Sequence, residues 1–350
     1  MISSLWGGIF FMALDQHEEE GTMQRVFSGI QPTGNIHIGN YLGAIKNWVE
    51  LQHKYESLFC IVDYHAITVE YEPELLHKRV LELAATLIAS GIDPEKSVLF
   101  VQSSVPEHTE LTWLFTCITS IGALERMTQF KEKAERHKGA VFAGLMNYPV
   151  LMASDILIYK AEVVPVGEDQ IQHLELTREI ARRFNSMFGE VFPEPQPILT
   201  KTARIMALND PTSKMSKSIE GSYIAMDDDD DTIRKKIRRA VTDVGPQGGE
   251  MGPGVKNLFT LLEAFAEPAL VERFRADYAN QTLRYADLKY ELGEAIVRAL
   301  APIRERTFDL LAKQAELMEI LDAGAKQARK LAQATMEEVR EAMGFKMPVA

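Results

Sequence analysis

The chain has only two cysteines, Cys60 and Cys117, far apart and with no second Cys or His at metal-ligand spacing. That excludes a disulfide framework and a cysteine-based zinc site, and it suits a reducing compartment. No apolar run approaches the roughly 18 residues that would argue a membrane span. The apolar stretch from Ile2 to Leu14 is broken by Gly7 and Gly8, has no basic residue before Arg25 and runs into Glu18-Glu19-Glu20. It fits neither a secretory signal nor an arginine-rich transit peptide, so a cytoplasmic protein with no membrane partner is expected. Positive charge is also short: 38 Lys and Arg against 50 Asp and Glu leave a net charge of −12, the wrong sign for a surface that neutralises phosphates throughout. No internal repeat is found, and the only low-complexity stretch is Asp227 to Asp231.

At 350 residues, with 46% apolar and 25% charged content, the chain is an ordinary globular sequence with room for two domains. From Arg25 onward strand-like and helix-like segments alternate, the pattern of an α/β fold with a parallel sheet. Strands are expected over 26–30, 57–62, 98–102 and 163–166. Helices are expected from Ile36 through Leu51, over 75–90 with Gly91 as C-cap, over 110–137, 148–159 and 170–188. After Phe192 the composition changes. Pro193, Pro195 and Pro197 read as a linker, Asp210-Pro211-Thr212-Ser213 starts a loop, and beyond Asp231 almost everything has helical period. Pro302 suits the first turn of a new helix. The chain thus reads as an α/β nucleotide-type domain followed by an all-helical one.

Two constellations suit phosphate chemistry. Gln31-Pro32-Thr33-Gly34-Asn35-Ile36-His37-Ile38-Gly39-Asn40 joins the first strand to the first helix, and a helix start presents unpaired N–H groups and partial positive charge to an anion. Gly39 leaves room for a flat base, and His37 and Asn40, three apart, share a face. The same ten residues also suit an ordinary capped turn. Much later comes Lys214-Met215-Ser216-Lys217-Ser218, whose two lysines can close on a triphosphate and stabilise charge that develops as pyrophosphate leaves. Alone, such a loop is usually only solvated.

A third constellation is apolar. In Tyr148-Pro149-Val150-Leu151-Met152-Ala153-Ser154-Asp155-Ile156-Leu157, helical spacing puts Tyr148, Met152 and Asp155 on one face. A carboxylate there is costly unless something donates to it, and an indole N–H can only donate. Taken by themselves these residues favour the blander alternative, an exposed or capping Asp155. The acidic run Asp227 to Asp231, with Arg234, Lys235, Lys236, Arg238 and Arg239 close behind, reads first as a solvated helix matched to its macrodipole and second as an RNA contact.

The early turn with Gly39 and His37, followed by Lys214 to Ser218, resembles the paired signature of class I aminoacyl-tRNA synthetases. Phe27 to Ile45, Cys60 to Thr68, Gly122 to Lys133, Tyr148 to Asn185 and Ala203 to Ser218 resemble the bacterial tryptophanyl-tRNA synthetase family, with weaker likeness at Val241-Thr242-Asp243 and Ala323 to Gly344. The resemblance covers nearly the whole chain from Met23. It implies a Rossmann-like open parallel sheet with a second, helical domain. The catalytic body would span 23–208, completed by helices within 310–350, and the helical part 209–309 would contribute to anticodon binding. The implied reaction is ATP-dependent activation of L-tryptophan and its transfer to tRNA(Trp) by a homodimer, with ATP as substrate and Mg2+ assisting.

By the same resemblance, Phe27, Gly29, Gln31, His65, Tyr148, Met152, Asp155, Ile156, Val164, Val166 and Gln170 would surround tryptophan. ATP would be held by Gln31, Pro32, Thr33, Gly39, Asn40, Gly167, Glu168, Asp169, Gln170, Ile205, Met206, Lys214, Met215, Ser216, Lys217 and Ser218. His37, Asn40, Lys214 and Lys217 would carry the catalysis, with Lys133 a further candidate near the phosphates. Three departures stand out. Many family members follow the lysine loop with an aspartate, whereas this chain has Ile219-Glu220-Gly221-Ser222. Residues 1–22 have no counterpart and are expected to be an extension that is disordered or not native, Met23 being the candidate start. Some relatives carry a cysteine cluster near the C-terminus, but Cys60 and Cys117 supply no iron–sulfur cluster and no zinc site. Two rival readings are a tyrosyl-tRNA synthetase, which shares both signature loops, and a non-catalytic paralogue that binds tryptophan or RNA.

Overall fold

The computed structural model describes residues 23–34, 36–128, 142–167, 170–199, 205–217, 219, 221–242 and 251–345. The extension 1–22, Lys133, Glu168, Asp169 and Ser218 lie outside the described residues. Five strands, β1 (Arg25–Ile30), β2 (Glu56–Ile61), β3 (Ser97–Val101), β4 (Val163–Val166) and β5 (Gln196–Leu199), form one parallel sheet in the order β3-β2-β1-β4-β5. Such a sheet is covered on both faces, so its inner strands are nearly continuous apolar runs. β2 is buried at every position after Glu56.

Around the sheet lie α1, α2 (Asp63–Ala66), α3 (Pro73–Ala89), α4 (Glu107–Ile118), α5 (Ile121–Glu125), α6 (Ala143–Leu157) and α7 (Ile171–Phe188). The first of these, α1, runs from Ile38–Asn40 through a π turn at Tyr41–Ile45 into Lys46–Leu51. The remainder is helical: α8 (Asp230–Arg239), α9 (Pro253–Phe265), α10 (Pro268–Ala279), α11 (Tyr285–Ala312) and α12 (Gln314–Ala342). None of the described helices is long and apolar enough to cross a membrane. One face of the sheet packs on α1 and α3 and its core runs on into α8, α9 and α11. The other face packs on α4, α6 and α7.

Helix α12 joins the two faces. Its Leu317 and Leu321 belong to the first core, whereas Ala325, Ala328, Ala332 and Met336 belong to the second. It crosses the outer edge of β3 at Gly324, where an added Cβ would sit 2.0 Å from the Leu99 carbonyl oxygen. No residue but glycine lets helix and strand backbones approach so closely.

Three sequence expectations are corrected. The helix expected over 110–137 is interrupted: α4 ends at Ile118, Thr119 is extended and Ser120 caps α5 by accepting from the Ala123 N–H. The proline-rich stretch after Phe192 is not only a linker, because β5 occupies Gln196–Leu199 with Pro197 opposite Val164. An edge strand tolerates proline since one side of its ladder has no partner. Pro302 lies inside α11 rather than at a helix start. Leu300 and Thr307 are buried on either side of it, and this packing holds the helix across the missing hydrogen bond.

Candidate active site

A cavity of about 310 Å³ opens at the C-terminal ends of β1, β2 and β4. That is where ligands bind in open α/β sheets, and the volume lies at the small end of the usual range for ligand pockets. Every residue that the sequence assigned to tryptophan lines it, together with Ser28, Val62 and Pro165. Tyr148, Met152, Asp155 and Ile156 come from α6, whose helical period brings them to one wall. Burial pushes the Tyr148 hydroxyl up to about 12, and that hydroxyl shares a hydrogen bond with His173 Nε2 at 3.0 Å.

Asp155 is 1% exposed, and the cost of burying a carboxylate is met by three donors. His65 Nε2 lies 2.7 Å from Oδ2, while Gln102 Nε2 and His108 Nδ1 each lie 2.6 Å from Oδ1. The Gln102 amide is oriented by its other end, which accepts the Tyr64 N–H at 3.1 Å. Burial alone would raise the Asp155 pKa, but hydrogen bonds from His108 and His65 outweigh it and hold the group at about 2. His108 Nε2 in turn lies 2.7 Å from the Tyr159 hydroxyl. Sequence reading missed Gln102, His108 and Tyr159. The need of a buried Asp155 for donors was the available signal, but the sequence did not say which of the distant histidines would supply them.

The phosphate-type constellations also meet. The Ile38 N–H donates to the Ile224 carbonyl at 3.0 Å and the Met226 N–H to the Ile36 carbonyl at 2.8 Å, so the strip after the lysine loop pairs with the start of α1. On the other side of the loop, the Met215 N–H donates to the Ile205 carbonyl at 3.0 Å. Ile205 and Met215 are 5% and 3% exposed and belong to the core. Their side chains therefore anchor the loop, leaving only their backbones for a ligand.

His37 caps α1. Its Nδ1 accepts the Asn40 N–H and its own N–H donates to Asn40 Oδ1, both at 3.3 Å. This fills the space that Gly39 leaves, since a Cβ there would meet His37 Nδ1 at 2.8 Å. Burial, then Lys217 and Lys214, lowers the His37 pKa to about 4. With Nδ1 accepting, the ring proton is on Nε2, which makes a neutral donor. Lys217 donates to the Gly34 carbonyl at 3.0 Å and more weakly to that of Thr33 at 3.4 Å. Burial, with Arg79 nearby, lowers its pKa to about 8. Lys214 is exposed. Gln31 and Thr33 are exposed, Pro32 is buried and Gly167 is exposed beyond the end of β4. Gln170, whose N–H donates to the Gly167 carbonyl at 3.0 Å, lies at the start of α7.

The family model described as tRNA synthetases class I (W and Y) matches residues 19–301. Over 330 residues the chain is 49% identical to a tryptophan–tRNA ligase of Helicobacter pylori, covering 92% of this chain and 99% of the relative. It is 47% identical to the tryptophan–tRNA ligase of Clostridium tetani over 333 residues, 93% of this chain and 97% of the other. Among solved structures it is similar to a tryptophanyl-tRNA synthetase from Campylobacter jejuni complexed with ADP and tryptophan. The TM-score is 0.82 at 38% identity, over 92% of this chain and all of that one.

Proposed function

The chain belongs to the class I tRNA synthetases for tryptophan and tyrosine, and from that premise we propose how its residues carry out the tryptophan–tRNA ligase reaction. The enzyme activates L-tryptophan with ATP to tryptophanyl-AMP, releasing pyrophosphate, and transfers the acyl group to tRNA(Trp), releasing AMP. The observation that carries the residue assignment is an ionised Asp155 on the wall of a cavity that Phe27, Met152, Ile156, Val164 and Val166 also line, next to a helix start faced by two lysines. An indole N–H satisfies the carboxylate, and phenylalanine has no donor to offer.

In this assignment the tryptophan carboxylate forms a bond to the α-phosphorus as the bond to the bridging oxygen of pyrophosphate breaks. No protein nucleophile is needed, and catalysis is positioning and electrostatic stabilisation. His37 Nε2–H and Asn40 donate to phosphate oxygens, and Lys214 and Lys217 offset the charge that grows on the leaving pyrophosphate. Among the described residues no group of three His, Cys, Asp or Glu could hold a metal ion. A magnesium ion would therefore arrive on the phosphates of ATP and supply charge neutralisation there.

For tRNA the helical part, 209–309, offers a local exception to the acidic surface. On α8, Arg234 and Lys236 are engaged by Glu294 and Asp228, whereas Lys235, Arg238 and Arg239 are exposed. Arg234 meets Glu294 and, one turn on, the Lys289 ammonium donates to the Arg238 carbonyl. Tyr290, which follows Lys289 on α11, is 65% exposed. A stacking surface flanked by cations suits an unpaired loop of RNA. For a homodimer, Trp113, Ile121 and Phe142 supply exposed apolar surface on the adjoining α4, α5 and α6. A cytoplasmic location suits ATP and tRNA as substrates. Pyrophosphate exchange, run separately with tryptophan, tyrosine and phenylalanine, tests the reading. Exchange with tryptophan alone is expected; exchange with tyrosine, or with none of the three, overturns it.

A further inference from the structure

We propose that His108 and Tyr159, assisted by Gln102, are positioning residues that set the pocket's preference for an indole N–H by fixing Asp155. This rests on the proposed contact between Asp155 and the indole. An ionised carboxylate has about four acceptor sites. Gln102 and His108 take two on Oδ1, and His65 takes one on Oδ2. His65 and Asp155 line the cavity, whereas Gln102 and His108 do not. Oδ1 is therefore held from behind, and the single site left over is on Oδ2, on the cavity side. Asp155 has room for one more donor, at one place.

Which nitrogen of His108 carries the proton follows from its partners. The ionised Asp155 can only accept, so Nδ1 bears a hydrogen, and in the neutral ring Nε2 then accepts from the Tyr159 hydroxyl. Burial, followed by Cys60, Asp155 and Glu107, pushes the Tyr159 hydroxyl well above its ordinary pKa, so it remains a donor. Asp155 and Tyr159 are four residues apart at the end of α6, and the His108 ring bridges them from α4. Both His108 and Tyr159 are fully buried. Tyr159 also stacks on Phe27, with ring centres 5.6 Å apart, and Phe27 lines the cavity. The clip thus ties two walls of the pocket to one carboxylate rotamer.

Burial alone would make His108 a packing residue, so the test must separate donor position from volume. In His108→Asn the amide nitrogen takes the place of Nδ1 and can still donate to Asp155. In His108→Gln it reaches instead toward the position of Nε2, leaving Oδ1 one donor short. Both variants are compared by pyrophosphate exchange after thermal melts establish that they are folded. For His108→Gln we expect the KM for tryptophan to rise about tenfold, with the KM for ATP unchanged and the preference over phenylalanine falling in step. His108→Asn should stay within about threefold of wild type, and Tyr159→Phe should fall between the two. Equal tryptophan KM values for the Asn and Gln variants, raised or not, would overturn the proposal and leave His108 as packing. Asp155→Asn is the control for the premise. If it leaves the tryptophan KM unchanged, the indole contact itself is wrong; if it raises that KM while His108→Gln does not, only the clip is wrong.

Discussion

At the end of the site proposed for tryptophan, the carboxylate of Asp155 already has three donors in place; at the end proposed for phosphate, Lys217 rests on two backbone carbonyls and its pKa has dropped to about 8. The first region is satisfied before any ligand arrives. The second holds a cation that has given up part of its hydration without gaining a carboxylate among the described residues. Discrimination needs an acceptor whose position is fixed beforehand, because a site that can rearrange will accommodate the wrong ligand. Charge stabilisation needs the reverse, a cation whose best partner is the charge that develops during the reaction.

The sharpest way to break this contrast is Lys217→Ala. Loss of one preorganised charge contact is expected to slow pyrophosphate exchange by about 10²- to 10³-fold, with tryptophan affinity almost unchanged. A shift in tryptophan binding of the same size would mean that the two ends are not separable. Asp155→Ala probes the opposite end. Tryptophan binding should weaken about 10- to 100-fold, the worth of a hydrogen bond to a charged group, and the tryptophan-to-phenylalanine ratio should fall further because the unpaired-carboxylate penalty on phenylalanine disappears. Equilibrium binding of both amino acids measures this, and an unchanged ratio would make Asp155 purely structural.

The pH dependence separates the ends next. Lys217 titrates near 8 rather than 10.5, so exchange at low ATP should fall roughly tenfold per pH unit above about pH 8 as the ammonium is lost. Lys217→Arg should remove that limb, and a profile that stays flat to pH 9.5 in wild type would contradict the assignment. Folding stability responds with the other sign. Between 8 and 10.5 the unfolded chain binds the lysine proton more tightly, so this group makes stability rise with pH. At the acid side, His37 (about 4 against 6.5) and Asp155 (about 2 against 3.8) both lose their contributions as pH falls, first over 6.5 to 4 and then over 4 to 2. Denaturant melts at stepped pH should show these two windows, with the upper one absent in His37→Asn. The smallest effect is reserved for Gly39→Ala. The methyl displaces the His37 ring and costs about 1 kcal/mol of cap, raising the KM for ATP a few-fold while tryptophan binding is untouched.

Much of the sheet was legible because buried parallel strands are apolar runs bounded by glycine and proline, and β1 to β4 fall where that pattern puts them. β5 was hidden by Pro193, Pro195 and Pro197, since the sequence cannot say that a strand will be an edge. The break after Ile118 was hidden in the same way: Ser120 announces a helix start only when the chain before it is known to have stopped. In the pocket, period alone put Tyr148, Met152 and Asp155 on one face. The donors of Asp155, however, lie 90, 53 and 47 residues away along the chain, on α2, after β3 and on α4. Their adjacency is a product of sheet order, which local pattern does not encode.

The crossing at Gly324 has a consequence for how the protein is made. β3 is an edge strand whose outer backbone is covered by a helix that begins at Gln314. During synthesis, β1 through β5 leave the ribosome more than a hundred residues before that cover exists, so the nascent sheet carries an open ladder on the side of Ser97–Val101, the kind of edge that recruits other chains. A transcript ending before Gln314 would yield a chain able to pair its strands but not to close them. Such a product is a substrate for chaperones and proteases rather than a slow enzyme.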